Sequence, residues 1–158
     1  MGMYGWPIPQ SPVVWPPTVQ LHRNGTDQNL TAGATDIVEW TTADIDSHGW
    51  ADFVNFRYTP KQKGWYLAHF NCVFNSTTLA AGFMVARLRK NGTEVAGNIF
   101  KTDGTQFPHA SGGVTYIVTL NGISDYIDCA VTTPAASVAP VLQGLARRTW
   151  LSVYWLRY

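Results

Sequence analysis

Three aspartates, Asp44, Asp46 and Asp52, fall close together in a polar stretch of the chain. Carboxylate oxygens spaced along a loop are how proteins hold Ca²⁺, so this is where the sequence offers a cation a site. The plainer reading is a loop that solvates itself with Asp. Four histidines, His22, His48, His69 and His109, are scattered without the spacing of a zinc site. His69 lies within an alternating apolar run and reads as a hydrogen-bonded core or interface residue rather than a base. Cys72 and Cys129 are far apart, and neither has a basic run beside it to lower its pKa. A disulfide and two buried thiols both fit them. Nothing else points to a secreted disulfide framework, which favours the thiols. Trp40 and Trp50, near the aspartates, are the residues on which a sugar ring could stack. No phosphate-cradling glycine loop, zinc pattern or nucleophile elbow is present. The expectation is no catalytic residue, no metal and no cofactor.

These residues are carried by short strands. No window keeps a 3.6-residue apolar period, and alternation with period two recurs. In residues 65–74, Tyr66, Ala68, Phe70, Cys72 and Phe74 make one apolar face. Trp65, Leu67, His69, Asn71 and Val73 make a mixed face. That is the pattern of an antiparallel sheet with one side on the core. Further strands are predicted at 19–23, 36–40, 53–58, 83–89, 94–100, 116–120, 126–132 and 149–158. Asn91-Gly92 supplies two residues tolerant of positive φ, as a type I′ hairpin needs. Residues 26–50 read as a long polar loop interrupted only by the strand at 36–40, and 134–140 as a small-residue loop. About eight or more short strands with turn signals between them predict an all-β antiparallel sandwich or barrel.

The chain of 158 residues suits one domain, and needs neither disulfide nor metal to build a core. Charged residues are 13% of it, about half the usual ~25%. Too few charges are present to coat a monomer in the ordinary way, so surface is either neutral-polar or buried against other chains. The net charge of +1 comes without a basic run or acidic tail, which argues against nucleic-acid binding. The close basic pairs, Arg89-Lys90 and Arg147-Arg148, read as solvated strand ends. No stretch of 18 apolar residues occurs, so no membrane span is expected. No positively charged start followed by an apolar run opens the sequence, so no signal peptide is expected. The Asn-x-Ser/Thr triplets at Asn24, Asn29, Asn75 and Asn91 then read as β-protein composition rather than glycan acceptors.

Residues 1–18 differ from the rest. Gly2, Gly5, Pro7, Pro9, Pro12, Pro16 and Pro17 forbid a helix and block sheet pairing. The same stretch carries Tyr4, Trp6, Ile8, Val13, Val14 and Trp15, which is too apolar for a free linker. It predicts an extended arm that lies on its own domain or a neighbour's, or anchors to another protein.

Three segments together resemble a known family. Arg57-Tyr58-Thr59-Pro60-Lys61-Gln62-Lys63-Gly64-Trp65-Tyr66 is similar to the turn and strand of complement C-one-q and tumour necrosis factor-like globular heads. Arg87-Leu88-Arg89-Lys90-Asn91-Gly92-Thr93-Glu94-Val95 resembles their Asn-Gly hairpin. Leu120-Asn121-Gly122-Ile123-Ser124-Asp125-Tyr126-Ile127 resembles their strand entry before Asp-Tyr. Ser124 replaces the family's usual Gly, and Ser152-Val153 its usual Ser-Gly. The resemblance covers residues 19–158. It implies a jelly roll of about ten strands, a tight three-fold assembly and a non-enzymatic role. The closing strand agrees, because both its parities are apolar: Trp150, Tyr154 and Leu156 against Leu151, Val153 and Trp155. A strand with two apolar faces needs a second burial partner, and Trp150, Tyr154 and Trp155 are the candidate trimer contacts.

The chain shows no collagen-like repeat or heptad stalk. The wording Tyr-Thr-Pro-Lys-Gln-Lys-Gly-Trp-Tyr is similar to versions in bacteriophage structural proteins. The expectation is therefore a trimeric capsid cement or decoration protein on the virion surface. Its partners would be itself and the major capsid protein or another virion protein, held by Tyr4, Trp6, Ile8, Val13, Val14 and Trp15 of the arm. The alternative is a fibre or tail adhesin that binds a host glycan, with Trp40 and Trp50 as stacking platforms. A secreted animal-type receptor ligand is disfavoured by the absent signal peptide.

Overall fold

The computed structural model describes residues 15–75, 79–103, 109–145 and 148–158. Among them lie thirteen strands: β1 (Thr18–His22), β2 (Gln28–Asn29), β3 (Thr35–Ile37), β4 (Thr42–Asp46), β5 (Ala51–Asp52), β6 (Arg57–Tyr58), β7 (Gly64–Asn75), β8 (Gly82–Lys90), β9 (Thr93–Thr102), β10 (His109–Leu120), β11 (Ile127–Thr132), β12 (Val141–Leu142) and β13 (Trp150–Arg157). They form two antiparallel sheets. In the first, β10, β7, β13, β1 and β4 lie side by side, and β12 with β2 continues beside the end of β7. In the second, β5, β6, β11, β8 and β9 follow in order, with β3 also on β11. This is the expected all-β jelly roll.

The alternation read along 65–74 sets the core. Tyr66, Ala68, Phe70, Cys72 and Phe74 are all buried. They meet Leu21 and Val19 of β1, Leu151 and Val153 of β13, and Met84 and Leu88 of β8 in one cluster. Trp40 packs edge-on against Phe70, with ring centroids 6.0 Å apart. Truncating such a side chain, for example Phe70→Ala, costs about 3–5 kcal/mol. The Asn91-Gly92 turn has φ 52° and 76°, as the type I′ hairpin between β8 and β9 requires.

Three expectations change. Residues 53–58 are not one strand: 53–56 form a tight turn between β5 and β6, and only Arg57–Tyr58 pair as a strand. The Asp52 carboxylate accepts from the Val54 and Asn55 amides at 3.1 and 3.0 Å. Phe56 takes a left-handed φ of 55°. A side-chain acceptor for the turn amides outcompetes the weak alternation there. Residues 26–50 hold β2, β3 and β4 rather than a long loop with one strand at 36–40. A buried polar clamp replaces the missing apolar pattern. Arg23 donates to the Thr26 and Asp27 carbonyls, to Gln28 Oε1 and to the Glu39 carbonyl. Gln28 in turn donates to the Ile37 carbonyl at 2.7 Å and accepts from the Glu39 amide at 3.0 Å. Lastly, β10 begins at His109, before the expected 116, and pairs with β7 along its whole length. Its Ser-Gly-Gly start carries no strand signal. Gly112 is needed there because a Cβ would run into the ring of Phe100.

The pairing register fixes what meets at each end of the sandwich. Thr18 stands opposite Tyr154, Trp65 opposite Arg157, Leu120 opposite Gly64, and Ile127 opposite both Tyr58 and Lys90. The start of β1, the end of β13, the start of β7, the β8–β9 hairpin and the β10–β11 loop therefore share one end, and the β5–β6 turn points back from it. The 24–25 turn and the 134–140 loop share the other.

Candidate self-association face

The first sheet turns its second face away from the core. On β7 that face shows Trp65, Leu67, His69 and Asn71. Cross-strand pairing sets Tyr154 beside Leu67, Ser152 beside His69 and Trp150 beside Asn71. On the other side, Ile117 stands beside Leu67 and Thr115 beside His69. Trp65 is 48% exposed and Tyr154 41%. From Asn71 to Leu67, these three rows carry no acid and no Lys or Arg. Arg157, opposite Trp65, marks their margin.

His69 sits at the centre. Its ring stacks on Trp150 at 4.6 Å between centroids and 26° between planes. Its Nδ1 shares a hydrogen bond of 2.5 Å with Thr115 Oγ1. Asn71 Nδ2 donates to the Arg148 carbonyl at 2.5 Å, closing the row. Farther along, buried His22 accepts the Asn24 amide at Nδ1, 3.0 Å, so its Nε2 is the nitrogen that donates to Asp44 at 2.8 Å. That edge is polar and self-satisfied.

Trp155 lies on the other parity. It packs against the core, its amide donates to the Pro17 carbonyl at 2.9 Å and its Nε1 to the Lys63 carbonyl at 3.4 Å. Trp150 and Tyr154 are thus together on the outer face, while Trp155 braces the inside. Gly64 makes room for this, because a Cβ there would stand 2.6 Å from the Arg157 carbonyl. Of the arm, Tyr4, Trp6, Ile8, Val13 and Val14 lie outside the described residues, and Trp15 is exposed.

The other chemistry-bearing residues are spread out. Asp44 binds His22, Asp46 accepts the Trp50 and Ala51 amides at 3.1 and 2.9 Å, and Asp52 caps its turn. No group of three or more metal-ligating side chains occurs among the described residues. Trp40 is 1% exposed, so it offers no platform to a sugar. Trp50 is half-buried, with the His48 ring 4.5 Å and the Tyr58 ring 6.5 Å from it. Both candidate stacking residues are spent on packing inside the chain. Cys72 and Cys129 are buried free thiols, and burial pushes both thiols well up from the usual range. Sequence reasoning placed Ile117 in the strand at 116–120 without assigning it to this face, and it missed the exposed tips Val54 and Ile123.

No family model and no curated protein matches the sequence. Solved structures do share its architecture. Murine APRIL at pH 5.0 superposes with TM-score 0.69 at 12% identity, over 90% of this chain and 100% of that one. The globular domain of zebrafish complement 1qA protein gives 0.66 at 12% identity, over 91% and 100%. Eiger TNF from S. frugiperda gives 0.67 at 12% identity, over 90% and 94%. The chain has the jelly-roll fold of the tumour necrosis factor and complement C-one-q heads, as the three sequence segments implied.

Proposed function

We propose that this protein is a non-enzymatic virion structural protein: a homotrimer that cements or decorates a capsid. One observation carries the self-association, the uncharged aromatic face formed by Trp65, Leu67, His69, Trp150 and Tyr154. Aromatic residues are enriched and charges depleted where protein surfaces pack permanently. Full burial of each large apolar side chain is worth roughly 1.5–3 kcal/mol. Three copies of the face closed around an axis offset the cost of association. The architecture supports the same reading, since the resemblance to the complement C-one-q and tumour necrosis factor heads implies a three-fold assembly.

The virion role rests on the low charge of the chain and on its apolar arm. Tyr4, Trp6, Ile8, Val13, Val14 and Trp15 would dock on shell subunits, and three linked arms per trimer multiply their contacts. The glycan-adhesin alternative loses support with the burial of Trp40 and the covering of Trp50.

Light scattering tests the assembly: the expected mass is that of three 17.5 kDa chains, and a stable monomer at micromolar concentration refutes it. Mixing the protein with shells that lack it tests the role. Full-length trimer should occupy the shells and protein lacking residues 1–17 should do so poorly; failure of the full-length trimer refutes the cement reading.

A further inference from the structure

His22 and His69 both lie on the outer face of the first sheet, and their surroundings differ. Val19 and Leu21 point into the core, which turns Gln20 and His22 outward. His22 is buried, and both its ring nitrogens are spent, Nδ1 on the Asn24 amide and Nε2 on the Asp44 carboxylate. His69 is half-buried, with no carboxylate at ion-pair distance among the described residues. Its Nδ1 meets the Thr115 hydroxyl, which can donate to a neutral ring or accept from a protonated one. Its Nε2 has no hydrogen-bond partner among the described residues. A proton can therefore enter the ring of a single chain without breaking a contact.

The side chains that face His69 are neutral on every element around it. On β7 itself they are Leu67 and Asn71. From β13 come Trp150, Ser152 and Tyr154, with Ser152 directly opposite. From β10 come Gly113, Thr115 and Ile117, with Thr115 directly opposite. One strand further, on β1, Gln20 stands opposite Ser152 and His22 opposite Trp150. Charge begins beyond these rows. Asp44 on β4 is held by His22, Arg148 turns its guanidinium to Gln143, and Arg157 lies at the margin. Tyr154 is the other titratable side chain within the rows. Of the remaining histidines, His48 stacks on Trp50 in the loop after β4, and His109 pairs with Asn75 at the far end of β10.

We propose that His69 is a pH switch for self-association, through which acid opens the assembly while each chain stays folded. The inference rests on the self-association face proposed above. Closing that face against its copies strips water from the ring and brings no acid in exchange, so the protonated form is favoured in the separated chains. In water an imidazole takes its second proton at about pH 6.5. Assembly is therefore complete above that value and is lost as pH falls through it. When each of three chains takes up one proton on release, linkage raises the dissociation midpoint by up to roughly 30-fold per pH unit.

Sedimentation of the full-length protein at graded concentrations, from pH 8 to pH 5.5 at constant ionic strength, reads the midpoint, and circular dichroism reads the fold. Wild type should be trimeric at pH 8, with a midpoint that rises on the order of ten-fold or more by pH 5.5 and an unchanged spectrum. His69→Gln should hold its pH 8 midpoint at pH 5.5, and His48→Gln should respond like wild type. Thr115→Asp sets a carboxylate beside the ring, so its trimer should be firmer at pH 6 than at pH 8, the reverse of wild type. That reversal keeps the test decisive where His69→Gln fails to assemble. A wild-type trimer whose midpoint stays fixed, or falls, with acid overturns this inference and leaves the self-association reading standing. A monomer at every pH overturns both. Acid dissociation that persists in His69→Gln or Thr115→Asp, or a wild-type chain that unfolds as the trimer opens, overturns the assignment to His69.

Discussion

The His69 imidazole lies flat on the Trp150 indole, from the neighbouring strand, at 4.6 Å between ring centroids. Neither ring belongs to the core. They form an ordered aromatic pair on the outer face of a sheet, with Thr115 fixing the imidazole from the other side. Such a pair contributes about 0.5–1.5 kcal/mol beyond its buried area and is a natural centre for a packed interface.

Trp150→Ala should therefore loosen the trimer. Loss of a central aromatic anchor costs about 2 kcal/mol or more per contact, which moves the dissociation midpoint by over an order of magnitude. Sedimentation at graded concentrations reads it. An unchanged midpoint would place the interface elsewhere.

Tyr154 and Trp155 are adjacent in sequence and opposite in role. Tyr154→Asp puts a charge on the outer face and should yield folded monomers. Trp155→Ala removes a brace between the core, Pro17 and Lys63, and should lower the melting temperature of the chain, by on the order of 3 kcal/mol of stability. Circular dichroism with light scattering separates the two. Equal effects of both on assembly alone would contradict the assigned parities.

Gly122 has φ 70° and sits against the backbone of Gln62 and Lys63. Gly122→Ala adds a Cβ to both a left-handed residue and a backbone contact. The expected cost is about 1–3 kcal/mol, with the 60–63 and 121–125 segments moving apart. Tyr66 reports it, because its hydroxyl donates to the Gln62 carbonyl at 2.6 Å. Burial, aided by Tyr158, pushes that hydroxyl up to about 12. Opening the contact should bring it down toward 10, and a titration unchanged in the variant would refute the coupling.

Acid should loosen the two tips. Burial raises the carboxyl pKa of Asp52, but hydrogen bonds from Asn55 and the charge of Arg57 outweigh it and the net shift is down. Asp125 behaves likewise, with Asn91 and Lys90 outweighing burial. A carboxylate with a depressed folded pKa stabilises the fold above its unfolded value, here 3.8, and loses that contribution as pH falls through the lower folded value. The tips should stay ordered at pH 4 and above and loosen only below it. Carboxyl carbon shifts followed by NMR should give midpoints below 3.8, and midpoints above it would contradict the capping geometry.

Alternation made the core legible. Residues 65–74 exposed both faces of β7, and Asn91-Gly92 located its hairpin to the residue. The doubly apolar β13 marked the sheet whose outer face, with Trp150 and Tyr154, is apolar as well. What stayed hidden was held by polar side chains. Gln28 and Arg23 fix β2 and the chain leading to β4 through carbonyls and amides, which leaves no periodic mark. Asp52 folds back 53–56 with one carboxylate, so an apolar pattern there reads as a strand. Trp40 and Trp50 misled as well, since polar neighbours suggested exposure where tertiary packing closed over the rings.

Trp15 and Tyr158 stand at the same end of the sandwich, whereas Asn24-Gly25 turns at the other, with φ 50° and 82° and open space around Gly25. A peptide joined ahead of Trp15 or after Tyr158 would leave from one end of the sandwich. A peptide inserted at 24–25 would project from the other. An epitope spliced into that turn would therefore stand a whole strand length away from anything that Trp15 and Tyr158 touch.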